Sequence, residues 1–89
     1  MGINEENKII KHRLGNMSKS ELMILANECG FIGEDLKLLI DCFCNKRSNT
    51  SIAIELNLCI DSVAKRKKKI VDRVRAYRLS LARGLNTNL

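Results

Sequence analysis

Residues 48–70, SNTSIAIELNLCIDSVAKRKKKI, decide how the rest of the chain is organised. Taken with helical spacing they form two helices meeting at a tight turn. Ser48 and Asn49 both carry side-chain acceptors suited to a helix N-terminus. Ile52, Ala53 and Leu56 follow at i, i+1 and i+4, which gives one apolar face. Asn57 stands where the chain must reverse, and Asn tolerates positive φ better than any residue except Gly. Leu58 is expected as a buried pin. Cys59-Ile60-Asp61-Ser62 then opens the second helix with an acid in its first turn. Val63 and Ile70 are seven apart and face back toward the first helix. The whole reads as a helix-turn-helix.

The same residues carry a family resemblance, which spans about half the chain, 34–77. The string SNTSIAIELNLCIDSV resembles the helix-turn-helix of LuxR-type regulators and of sigma factor region 4. Ile52-Ala53 match the Ile-Ala pair of those families, Leu56-Asn57 the Leu-Gly turn, Leu58 the apolar pin and Val63 the late core position. Asn57 replaces the usual Gly, and Cys59 stands where Ser or Thr normally caps the recognition helix; Cys is a poor cap. The resemblance implies that the second helix enters the major groove of DNA. It places Ile60, Asp61, Ser62 and Lys65 at base edges. Asp61 either accepts from cytosine N4 or serves the helix N-terminus. Lys46, Arg47, Asn49, Thr50, Arg66, Lys68, Lys69 and Arg73 are the candidates for phosphate contact, which positions a protein without specifying sequence.

Charge supports an anionic partner independently. Residues 1–45 hold five Lys/Arg against seven Asp/Glu, a net of −2, whereas residues 46–89 hold eleven against three, a net of +8. Lys65 to Lys69 are five consecutive basic residues, and only Asp72 interrupts the block that continues through Arg73, Arg75, Arg78 and Arg83. A solvated helix face normally mixes signs, and so one-sided a helix is relieved by an anion.

Working outward, Ser18-Lys19-Ser20-Glu21 is a capping box that starts a helix with the stripe Leu22, Leu25, Ala26 and Cys29, ended by Gly30. Glu34 and Asp35 suit the first turn of the next helix, whose Leu36, Leu39, Ile40 and Phe43 recur at i, i+3, i+4 and i+7. Residues 1–16 read as a polar N-terminal arm ahead of a helical domain at 17–89. Within that arm Ile9, Ile10 and Leu14 make at most a short helix ending at Gly15. At the other end a long helix runs from Ile60 to about Arg83. Its Ile70, Val74, Tyr77, Leu81 and Leu85 are spaced 4, 3, 4 and 4. That stripe either packs against the Leu22–Cys29 helix, the favoured reading, or forms a homodimer seam like that of LuxR-type domains.

The expected fold is thus all-α, a small bundle of four or five helices containing the helix-turn-helix. No Pro and five Gly in 89 residues fit helices joined by short turns. No apolar run approaches a membrane span, and MGINEENKII lacks the layout of a signal peptide, so a cytoplasmic protein is expected. Cys29, Cys42, Cys44 and Cys59 show no C-x-x-C spacing, and Cys42 and Cys44 point about 200° apart on a helix. They read as reduced thiols, with no metal or cofactor expected. Scattered single glycines and one histidine, His12, supply neither a phosphate loop nor a catalytic set, so no enzyme is expected. The function expected is sequence-preferring binding of double-stranded DNA by a small transcriptional regulator. The sigma resemblance adds RNA polymerase as a partner. The alternative is a helix-turn-helix assembly or adaptor module, such as a phage packaging protein, acting through protein contacts.

Overall fold

The computed structural model describes the backbone of residues 2–87 and the side chains of residues 2–79. It is an all-α bundle of five helices, with no strand among the described residues. They are α1 (Ile3–Asn16), α2 (Lys19–Cys29), α3 (Glu34–Leu39, continued by a π-helical turn, Ile40–Cys44), α4 (Asn49–Leu56) and α5 (Ile60–Thr87). Each contributes at least one fully buried side chain to a single core: Leu14, Leu22, Leu39, Ile52, and Val63 with Val71.

The helix ends follow local chemistry. At α2, Glu21 N–H donates to Ser18 Oγ (3.2 Å) and Ser18 N–H donates to Glu21 Oε1 (3.0 Å), completing the capping box. Gly30 ends α2 in the left-handed conformation (φ 80°), which lets Phe31 N–H reach back to the Ala26 carbonyl at 2.8 Å. At α4, Ser48 Oγ accepts from Ser51 N–H at 3.1 Å. Asn57 closes α4 at φ 55°, ψ 44°, and Leu58 N–H returns to the Ala53 carbonyl at 2.9 Å. Asn therefore does the turn work that Gly would do at lower backbone strain. Leu58 itself is half-buried against the core rather than fully sealed in it.

Two expectations are corrected. Gly15 does not end the first helix. It lies inside a 14-residue α1, which stops at Met17, whose extended backbone turns its N–H onto the Leu14 carbonyl at 3.2 Å. Ile10 and Leu14 join the common core with Asn7, one turn before them, while Ile9 is exposed. The stripe of α3 is also differently phased. Leu38, Leu39, Cys42 and Phe43 are buried, whereas Leu36 and Ile40 are only half-buried. The run Leu38-Leu39-Ile40 can be phased either way by periodicity, and the π turn, in which Asn45 N–H bonds the Ile40 carbonyl at 2.9 Å, shifts the later residues.

α5 is the backbone of the bundle. Its 28 residues reach about 42 Å at 1.5 Å per residue. Val63, Ile70, Val71 and Val74 face inward, and α1 and α4 make its most extensive contacts.

Candidate nucleic-acid interface

Because Val63, Ile70 and Val74 are locked into the core, the opposite side of α5 is set toward solvent. Asp61, Lys65, Lys68 and Lys69 are all exposed there, spaced four, three and one, and no ion pair engages them among the described residues. Ile60, half exposed, begins the helix beside the turn. Thr50, at the start of α4, is exposed and Asn49 half-buried.

The remaining candidates are engaged elsewhere. Ser62 is half-buried, and its hydroxyl lies 3.1 Å from Cys59 Sγ. The Cys59 carbonyl accepts from Ser62 N–H (3.1 Å) and Val63 N–H (3.3 Å), and hydrogen bonding with Ser62 lowers the Cys59 thiol pKa. The thiol thus engages the Ser62 side chain at the opening of α5. Arg66 pairs with Glu34 at 3.2 Å, across to α3. The Arg73 guanidinium sits 5.5 Å from the Phe31 ring centroid and the Lys67 ammonium 5.4 Å from that of Phe43, both within cation–π range. Arg47 is held by Glu55, by Asp41 (3.4 Å) and by Ser51 Oγ (2.9 Å). Lys46, at φ 56°, donates its ammonium to the Gly15 carbonyl.

The stripe considered for dimerisation is divided. Ile70 and Val74 are 3% and 2% exposed, inside the chain's own core, and half-buried Tyr77 donates to Glu28 Oε2. Leu81 and Leu85 lie outside the described side chains.

Two polar centres carry no sequence signal of their own in residues 48–70. Glu55 accepts from Lys37 at 2.8 Å and from Arg47, and these hydrogen bonds hold its carboxyl at about 2. Asn7, the one buried polar residue among those described, donates to Asp72 Oδ1 (3.0 Å) and accepts from Arg75 (2.8 Å), while Arg75 also reaches Asp72 (3.1 Å). The acid that interrupts the basic block is therefore neutralised by its neighbours. Asn7 was legible in principle, since Asn7, Ile10 and Leu14 share one helical face; Glu55 was not, because its partners come from separate segments.

Burial pushes the Cys29 and Cys42 thiols up, against the downward pull of Arg73 and Lys67 respectively. No helix among the described residues is long and apolar enough to cross a membrane. Comparison with family models, with curated proteins and with solved structures finds no significant match. The resemblance therefore rests on its own residues, Ile52-Ala53, Leu56-Asn57, Leu58 and Val63.

Proposed function

We propose that this protein binds duplex DNA with a preference for sequence, as a small transcriptional regulator, using α4, the Asn57 turn and α5 as a helix-turn-helix. The observation that carries the reading is the outward row of α5, where Lys65, Lys68 and Lys69 form no ion pair among the described residues, while Glu34, Asp41, Glu55 and Asp72 pair with Arg66, Arg47 and Arg75. Exposed, unpaired cations on a helix presented next to a tight turn suit a major groove and its flanking phosphates. On this reading Lys65 and Asp61 address base edges, and Lys68, Lys69 and Thr50 address phosphates. Arg47 and Arg66 act through the geometry of the unit, because each is tied to a carboxylate.

Selection from a random duplex pool, with binding followed by anisotropy at two salt concentrations, tests this. One enriched motif and affinity that falls steeply with salt are expected. Lys65→Ala is expected to weaken the enriched site by about 1–3 kcal/mol more than random duplex. Lys68→Ala should weaken both alike and reduce the salt slope by about 1. Absence of duplex binding at low salt refutes the proposal.

A further inference from the structure

α1 meets the DNA-binding unit at two places. Near its start, Asn7 holds Asp72, which lies seven residues after Lys65 and so on the same side of α5. Near its end, the Gly15 carbonyl accepts from Lys46, and a Cβ at Gly15 would stand 2.9 Å from that ammonium. Lys46 leads within two residues to the Ser48 cap of α4. Thus α1 runs from the outward side of α5 to the entrance of α4.

Between those two places α1 carries Lys8 and Lys11, both exposed. Burial of Asn7, Ile10 and Leu14 fixes the rotation of the helix. Lys8, Lys11 and Gly15, spaced three and four, then share one row, and the Gly15 contact turns that row toward Lys46. Neither lysine has an ion-pair partner among the described residues. The first-turn acids do not occupy the middle of this row. Glu6 borders a groove with Ile10, Arg75, Arg78 and Leu79, and Glu5 precedes Lys8 at the helix start. Arg13 and Arg78 line the apolar continuation of that groove, with Leu14, Met17, Leu25 and Val74.

We propose that Lys8 and Lys11 contact the phosphate backbone of duplex DNA flanking the groove entered by α5, which makes α1 a second arm of the binding surface beside the start of α4. This rests on the duplex-binding reading above and extends it to a helix outside the helix-turn-helix. Phosphate contacts of this kind add affinity and fix register without reading bases.

The test is the salt dependence of anisotropy with a mixed-sequence duplex, between 50 and 200 mM salt, on the full chain. Each lost phosphate contact lowers the slope of log K against log salt by about 0.9, so Lys8→Gln/Lys11→Gln is expected to lower it by roughly 1.8 and to weaken binding at 0.1 M salt roughly 60-fold relative to convergence at 1 M. The comparison variant Arg13→Gln/Arg78→Gln removes the same charge from the groove on the other side of α1 and should keep the wild-type slope. Both pairs are exposed, so a thermal melt near that of wild type is expected for each. A wild-type slope in Lys8→Gln/Lys11→Gln overturns the inference and leaves the duplex reading standing. An equal loss in the groove variant also overturns it, because net charge then accounts for the effect. Failure of the wild-type chain to bind duplex removes both.

Discussion

Asn7 joins α1 to α5 through side chains 65 residues apart, and replacing it measures how firmly that helix is docked. Asn7→Ala removes two hydrogen bonds, each to an ionised partner: the donation to Asp72 and the acceptance from Arg75. A hydrogen bond to a charged group contributes about 1.5–3 kcal/mol net when buried. Here Asp72 and Arg75 side chains are 35% and 21% exposed and remain paired with each other, so water recovers part of each bond. Each bond then falls to about 1 kcal/mol, below that range, and the expected loss for the two is about 2 kcal/mol. For a domain of this length that is a fall in Tm of roughly 8–16 °C, at 4–8 °C per kcal/mol. Urea denaturation of wild type, Asn7→Ala, Asp72→Ala and the double variant closes a cycle, with a coupling of about 1 kcal/mol expected between the two sites. A single-variant loss under about 0.5 kcal/mol with no coupling would refute the claim that this network docks α1.

Other perturbations test the turn, the Glu55 hub and the cap. Asn57→Val forces a β-branched residue to φ 55° and is expected to destabilise the chain by about 1–2 kcal/mol, whereas Asn57→Gly should leave it within about 0.5 kcal/mol by chemical denaturation. The Glu55 carboxyl is held down at about 2 in the folded chain, against the ordinary 4.5, by its hydrogen bonds from Lys37 and Arg47. Its contribution is therefore fully present above the unfolded value and is lost as pH falls from about 4.5 toward 2. Urea melts across that window should show a weaker acid-side decline in Glu55→Gln, and an unchanged decline contradicts the hub. Cys59→Ser places a hydroxyl acceptor just before the first residue of α5 and is expected to raise stability in urea denaturation, because Cys is the poorer cap. In the intact fold, Ellman's reagent should modify exposed Cys59 before buried Cys29 and Cys42, whose thiols are pushed up by burial. Faster reaction at either buried thiol would sink this assignment.

Helix boundaries and the turn were legible because their causes are local. The Ser18–Glu21 box, the Ser48 cap, Gly30 and Asn57 act on backbone groups within five residues, so type and spacing suffice. The inward side of α5 was legible for the same reason: Val63 and Ile70 recur at helical period. Periodicity failed where it was ambiguous. Three adjacent apolar residues allowed α3 two phases, and α1, with only Asn7, Ile10 and Leu14 buried of its fourteen residues, looked like a polar arm. Of the interface, the sequence marked where the cations are, but their state depends on carboxylates and carbonyls brought in from other helices. Glu34 reaches Arg66, Glu55 joins Lys37 to Arg47, and Gly15 receives Lys46, at sequence separations of 32, 18 (Lys37), 8 (Arg47) and 31. Only tertiary structure decides such pairings, because they depend on which helices cross and where. That is why a uniform basic run resolves into Arg66 and Arg73, which pack against Glu34 and Phe31, and Lys65, Lys68 and Lys69, which stay exposed and form no ion pair among the described residues.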